Sequence, residues 1–335
     1  MQKIDKINFK ILDYKKDLGD SKLKFSLTGN NINYIVVNTI RRTIFSDIPI
    51  YAFNEFKFEK NTSIFHNNYL KLRLRQMPIW GIENNIDFLD ININKNEMND
   101  IDNEIEDEND NEINITNDKN INISTLKQLT MYVNYKNKTN DIVTVSTNDV
   151  KFYFQQNQIE SPYKNPIPII KLQPTQEIIL SVITDINIEE INAMYSPVSV
   201  AYYNLINDNE FEFCIKSRGQ INEIRIMEVA LINIIKKLNN LKILITDIKV
   251  NEDETLKGIV ILNNEDHTFG NLISRGLQLH EDISFGGYNM SHPLVKKVNL
   301  HYKLNNKKNN IISIIDDVCN YYITLFNNIK KLVLK

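Results

Sequence analysis

The chain has 335 residues, 42% of them hydrophobic and 24% charged, with a formal net charge of -3, enough apolar surface for two or three packed domains and too much for a small stapled scaffold. Its two cysteines, Cys214 and Cys319, lie far apart and form neither a disulfide framework nor a C-x-x-C metal or redox spacing, so a reducing compartment is expected. No run of 18 apolar residues occurs, the longest uncharged stretch (191–207) is broken by Asn192, Ser196, Pro197 and Asn204, and residues 1–16 lack the apolar core of a signal peptide; a soluble protein without a targeting segment is expected.

Asn31 can cap a helix whose apolar positions Ile32, Ile35, Val36, Ile40 and Ile44 follow the i, i+3, i+4 rule, ending at Ser46-Asp47 before Pro49. Arg41 and Arg42 flank its apolar face. Residues 95–119 then carry ten acidic side chains with no base between the flanking lysines, and read as a solvated acidic loop. Without those ten acids a net charge of -3 becomes +7, only mildly basic. Short β-type runs follow at 131–135, 142–145 and 151–154, then at 167–172 and 177–182 on either side of Pro174, predicting a β-rich middle module.

A second helical stripe, Ile224, Met227, Leu231, Ile234, Ile235 and Leu238, occupies 221–241 after a strand-like 210–217 and a turn at Arg218-Gly219. The pattern then restarts: a strand at 256–262, a helix at 268–279, an alternating strand at 295–304 with Val298, Leu300 and Tyr302 inward, and a long helix at 311–333. The stripe of that last helix, Ile311, Ile315, Val318, Tyr322, Phe326, Ile329 and Val333, steps by fours and threes, the period of a helix lying along another helix. Two α+β units are therefore expected, with a β-rich insertion splitting the first.

Asparagine supplies 50 of the 335 residues, a bias that points to an AT-rich genome rather than to a mechanism. The nine glycines nowhere form G-x-G-x-x-G or G-x-x-x-x-G-K-[ST], the spacings that let backbone N–H groups approach phosphates. There is no Asp-x-Asp-Gly-Asp motif, no H-x-x-x-H pair among the five histidines and no nucleophile elbow. Catalysis by this chain alone, a metal and a cofactor are all unexpected. His267 follows Glu265 and Asp266 but has no second ligand nearby, so a helix-capping or core-packing role is expected for it, with Glu265, Asp266 and Thr268 as helix-start residues. Asn271, Gly286, Gly287 and Tyr288 are expected to fix a turn between strand and helix, glycine permitting positive φ.

The run Asn38-Thr-Ile-Arg-Arg-Thr-Ile-Phe-Ser-Asp-Ile-Pro49 resembles the helix signature of the bacterial RNA polymerase alpha subunit, of its larger archaeal counterpart and of the third-largest subunit of eukaryotic RNA polymerase II. Further blocks follow in the family's order: Asn61-Thr-Ser63, Leu72-Arg-Leu with Met77-Pro78, Ile167-Pro-Ile-Ile-Lys-Leu with Gln176-Glu-Ile, Ala193-Met-Tyr-Ser-Pro-Val198, and Phe211, Phe213 and Gly219. The later part is similar to the small alpha-like partner, found in archaea and as subunit eleven of the eukaryotic enzyme, through Glu265-Asp-His-Thr-Phe-Gly-Asn271 and Phe285-Gly-Gly-Tyr-Asn-Met-Ser-His-Pro293, which includes His292. Residues 51–200 lack the cysteines that bind zinc or an iron–sulfur cluster in some relatives, and Lys71 and Arg75 replace the family's His and Gly around Arg73.

The resemblance implies a fusion of both alpha-like subunits: two dimerisation modules, 1–50 with 200–241 and then 242–335, packed as an intramolecular pseudo-dimer, with a β-rich domain inserted at 51–199. Met227, Leu231, Ile234 and Leu238 would face Ile315, Tyr322 and Phe326 across it. It implies a non-catalytic assembly platform of a DNA-directed RNA polymerase, with Asn38, Arg41, Arg42 and Pro49 at a subunit interface. The implied partners are the second-largest and largest subunits and a small subunit-ten-like protein, with DNA met only through the complex and no membrane. Fusion and asparagine-rich composition together imply a large cytoplasmic DNA virus, hence the host cytoplasm (viral factory) and virion; a cellular chain would work in the nucleus or cytoplasm. The alternative is a virion structural protein that retains the fold, and a free nucleic-acid binder is disfavoured by the near-neutral charge.

Overall fold

The computed structural model describes residues 4–17, 20–80, 82, 86, 128–155, 157–246, 256–292, 295–306 and 310–335. The acidic stretch 95–119 and Pro293 lie outside the described residues. In chain order the elements begin with β1 (Asn8–Lys15), β2 (Lys22–Thr28), α1 (Tyr34–Ser46), β3 (Ile50–Asn61) and α2 (Asn67–Arg75). There follow β4 (Leu129–Lys136), β5 (Val143–Ser146), β6 (Lys151–Phe154), β7 (Asn157–Ile159), β8 (Pro168–Leu172) and β9 (Glu177–Asn187). Last come β10 (Val198–Asn207), β11 (Glu210–Ser217), α3 (Glu223–Thr246), β12 (Lys257–Asn263), α4 (His267–Gln278), β13 (Ile283–Met290), β14 (Lys297–Leu304) and α5 (Ile311–Val333). The fold is thus mixed α+β, and among the described residues no helix is long and apolar enough to cross a membrane.

The chain divides into two compact units. The first takes the described residues of 1–52, 75–87 and 187–335. It contains an antiparallel sheet ordered β1-β2-β11-β10 and another ordered β12-β14-β13. Alternation along β2 sends Leu23, Phe25 and Leu27 inward, where the Phe25 ring stacks on Phe213 of β11 at 5.2 Å. In β14 the same alternation buries Val298, Leu300 and Tyr302, the three positions predicted to face inward.

One continuous apolar core joins residues of both sheets to α1, α3, α4 and α5. On α3, Met227, Leu231, Ile234 and Leu238 are at most 2% exposed; on α5 the whole predicted stripe from Ile311 to Val333 is buried. The two helices pack along one another, with the C-terminal end of α3 beside the N-terminal end of α5, where Lys242 reaches Asp316 at 3.2 Å and Asn320 at 2.7 Å. Full burial of one large apolar side chain contributes about 1.5–3 kcal/mol, against a few tenths for a typical difference in helix propensity, so the stripes decide where these helices lie. Helix α4 closes onto α5 at Gly276, where a Cβ would sit 2.3 Å from Val318 Cγ1 and 2.9 Å from the Tyr322 ring.

Two local expectations change. The N-cap of α1 is Asn33, whose Oδ1 accepts from the Ile35 and Val36 N–H groups at 3.0 and 3.1 Å. Asn31 is buried instead, accepting from the Asp5 N–H at 2.8 Å and donating to the Tyr321 hydroxyl of α5 at 3.0 Å. Gly286 and Gly287 do not form a positive-φ turn: both lie within β13, and neither φ is positive. Gly286 serves close packing, since a Cβ there would approach Leu277 Cβ of α4 to 3.0 Å.

The second unit takes the described residues of 53–74 and 88–186. Its sheets are ordered β3-β9-β4-β6-β7 and β5-β8. Alternation along β9 buries Ile178, Leu180, Val182, Thr184 and Ile186. Asn137, 1% exposed, organises the loop after β4: its Nδ2 donates to the Asp141 and Leu172 carbonyls at 2.8 and 3.0 Å, and its Oδ1 accepts from the Thr139 N–H and hydroxyl. A buried amide with both ends satisfied costs little, whereas one left unpaired costs about 1–3 kcal/mol.

Phe326 is fully buried and stacks on Tyr322 at 6.2 Å. Phe326→Ala is expected to cost about 3–5 kcal/mol and lower the thermal midpoint by on the order of 10 °C, measured by circular dichroism. A midpoint within about 1–2 °C of the parent would show that the α5 stripe does not hold the first unit together.

Candidate subunit interface

Helix α1 buries Ile35, Val36, Val37, Thr39, Ile40, Thr43 and Ile44. The other face presents Tyr34, 62% exposed, with Asn38, Arg41 and Arg42. The spacing of Asn38 and Arg41, one helical turn, lets Asn38 Oδ1 accept from both Arg41 Nε (3.1 Å) and Nη2 (3.0 Å). The guanidinium is thereby held against its own helix, with its remaining donors free of that contact.

Arg42 is placed differently. Its Nη2 lies 3.5 Å from Asp266 Oδ2, with both side chains about half exposed. Asp266 is the N-cap of α4, its Oδ1 accepting from the Thr268 and Phe269 N–H groups and its Oδ2 from the Thr268 hydroxyl. Burial opposes ionisation of Asp266, but these hydrogen bonds outweigh it and hold the carboxyl below its ordinary range. Pro49 does not share the exposed face of α1: it is buried in the link from α1 to β3.

Between the C-terminal end of α1, α3 and the start of α4 lies a cavity of about 160 Å³ lined by Arg42, Asp47, Glu190, Lys237, Glu265 and Asp266, among others. Asp47, the C-cap of α1, sits 2.8 Å from Lys237 Nζ of α3, and its backbone carbonyl accepts from Asn233 Nδ2 at 2.7 Å. Burial works against the Lys237 ammonium, yet Asp47 and Glu265 beside it prevail and raise its pKa. Glu265 has the reverse balance. Burial raises its pKa first, Asp266, Asp47 and Glu190 add to the rise, and Lys237 only partly offsets them, leaving it at about 7. Lys296 pairs with Glu190, one of the lining residues. The charged side chains here come from distant stretches of sequence, which is why periodicity does not reveal Asp47, Lys237 or Glu190 as a group.

The other expected motif residues fall around α4. His267 is its first residue, exposed, with its ring edge-on to Tyr288 at 5.9 Å; the capping itself is done by Asp266. Asn271 and Tyr288 are partly buried, and His292 is exposed, its carbonyl accepting from the Val295 N–H at 3.1 Å. The expected turn at Arg218-Gly219 does use glycine freedom: φ is 94° at Gly219, and Trp80 Nε1 donates to the Arg218 carbonyl at 3.1 Å. Among the described residues no group of three or more His, Cys, Asp or Glu is arranged to hold a metal ion.

Residues 257–332 match the family model of the RNA polymerase Rpb3/Rpb11 dimerisation domain. Over 98% of its length the chain is 28% identical to a protein of Acanthamoeba polyphaga mimivirus named as a DNA-directed RNA polymerase subunit, covering 94% of that protein. A 45-residue stretch is 51% identical to RNA polymerase II subunit rpb11 of Dictyostelium discoideum, covering 13% of this chain and 38% of the relative. A 73-residue stretch is 32% identical to RNA polymerase subunit Rpo3 of Thermococcus kodakarensis, covering 22% of this chain and 26% of the relative.

The elevated pKa of Glu265, about 7 against an ordinary 4.5, means that the folded chain holds this proton more tightly than the unfolded chain. Its contribution therefore makes stability fall as pH rises from about 4.5 to 7 and level off above. Glu265→Gln is expected to remove that decline and to raise stability at pH 8 by about 1–3 kcal/mol, with little change at pH 4.5. Denaturant titrations of both proteins at pH 4.5 and 8 check this; equal differences at the two pH values would contradict it.

Proposed function

We propose, taking as premise that this chain is an alpha-like subunit of a multisubunit DNA-directed RNA polymerase, that it carries both members of the dimerisation pair on one polypeptide. It is an assembly subunit, and the nucleotidyl transfer belongs to other chains of the enzyme. The observation that carries the pseudo-dimer reading is that α5, inside the matched domain, packs along α3, which lies outside it, in one apolar core. Joining two binding partners in cis raises their effective concentration to about the millimolar range, so dilution does not separate them. The β-rich second unit is then the domain inserted into the first module.

The exposed face of α1 is the proposed seat of the second-largest subunit. Asn38 pre-orients Arg41, and a guanidinium held in place loses less side-chain entropy when it meets a carboxylate or carbonyl of a partner. Arg42 adds charge at the same end of the helix while bound to the cap of α4. The largest subunit and a small subunit-ten-like protein complete the proposed set, with DNA reached only through the assembly. The near-full-length viral relative supports a viral setting, and action in the host cytoplasm with packaging in the virion belongs to the same proposal.

Affinity purification through a tag on this chain, followed by mass spectrometry, is expected to recover the largest and second-largest polymerase subunits in near-equal amounts. Recovery of capsid or core proteins alone would favour a structural protein, and recovery of DNA with a steep salt dependence would favour a free nucleic-acid binder. The double variant R41E/R42E is expected to keep its circular dichroism, with a melting midpoint lower by about 1–4 °C from loss of the Arg42–Asp266 pair, while recovery of the second-largest subunit falls about tenfold or more, the loss of roughly 1.4 kcal/mol or more. Undiminished recovery would remove the arginine pair from the interface.

A further inference from the structure

The outward faces of the two sheets in the first unit differ in a way their function as core walls does not explain. On the face of β1-β2-β11-β10, Lys24 pairs with Glu212 at 2.7 Å and Lys22 with Asp13 at 3.2 Å. On the face of β12-β14-β13 the strand registers place Lys257, Lys303 and Phe285 in one row, Ile259 and His301 in the next, Ile261 and Asn299 in a third, and Lys297 beside Asn263 in a fourth. None of the outward residues of these three strands is a carboxylate. Among the described residues Lys257, Lys297 and Lys303 form no ion pair, and Ile259, Ile261 and Phe285 are 49%, 42% and 58% exposed.

An isolated exposed Ile or Phe is ordinary, but here Ile259 and Ile261 occupy the two middle rows, with Phe285 beside two unmatched lysines in one end row and Lys297 in the other, an apolar patch with a positive margin. We propose that this face is a docking surface for a partner protein segment whose apolar side chains cover Ile259, Ile261 and Phe285 and whose carboxylates meet the lysines. The geometry fixes the spacing of the partner's charges. Lys297 and Lys303 are six residues apart on β14, roughly 20 Å at about 3.4 Å per residue, so an extended partner presents acids at positions i and i+6 with apolar residues at i+2 and i+4. Branched aliphatic side chains in the two middle rows, on β12, favour a protein over nucleic acid, which is held by aromatic stacking and phosphate contacts. The surface is separate from the α1 face and takes the polymerase assembly as its setting.

The test is lysine footprinting of the complex purified through a tag on this chain, set against the isolated full chain. Acetylation of Lys257, Lys297 and Lys303 by an N-hydroxysuccinimide ester is expected to slow at least tenfold in the complex. Carbodiimide coupling is expected to join at least one of them to an Asp or Glu of another subunit. The exposed double variant K257E/K303E is expected to lose that product and to retain its fold by circular dichroism. Equal acetylation rates in an intact complex overturn the proposal and leave the assembly reading standing. So does protection abolished by nuclease, or protection already present in the isolated chain and lost on deleting 95–119. A tag that recovers no polymerase subunit defeats the assembly reading, and this one with it.

Discussion

The burial of α3 against α5 is the constraint on which the first unit depends. Each helix carries an apolar stripe too wide to leave in water, and neither has enough intrinsic helix stability to hold its shape unaided. Once the two lie together, the remaining elements have defined places. Helix α4 must come close enough to α5 that only a glycine fits at 276, and Val318 and Tyr322 fill the space its side chain leaves. The sheets then cover the core with Leu23, Phe25 and Phe213 from one side and Val298, Leu300 and Tyr302 from the other.

Beside this apolar contact lies a set of charges whose balance is local. Lys237 is held charged by Asp47, and Asp266 is held ionised by the amides of the helix it caps, while Glu265 is left with more negative than positive neighbours. Ionic contacts of this sort contribute little net stability because desolvation offsets attraction, but they are directional. Here they tie the end of α1 to α3 through Asp47 and to the start of α4 through Arg42, so the outer face of α1 has a fixed orientation in the unit. A helix that presents side chains to a partner gains from such fixation, since less freedom remains to be lost on binding.

Much of this arrangement is legible in the residues. The stripes of α3 and α5, the inward positions of β14, the limits of β6 and α5 and the turn at Gly219 all follow from period and turn chemistry. The expected strands omit β3, although Phe56 and Phe58 alternate with Glu55, Lys57 and Glu59, a period-two signal that is present in the sequence. Other features have no sequence signature. Asn33 and Asn31 are the same residue type two positions apart, and only tertiary contact decides which caps and which is buried. Gly286 and Gly287 read as a turn because glycine serves both positive φ and close approach, and the sequence does not say which use applies. The pairing of Lys237 with Asp47 spans too many residues for any local rule to reach.

The hydrogen bond from Asn31 to Tyr321 links residues 290 positions apart, from the lead-in of the first helix to the middle of the last. During synthesis the earliest strands and α1 leave the ribosome while the surface that will cover them is still untranslated. The strands of the second unit, β3 to β9, pair among themselves and wait for no later element. The oldest segment of this polypeptide therefore waits, apolar and uncovered, for the youngest.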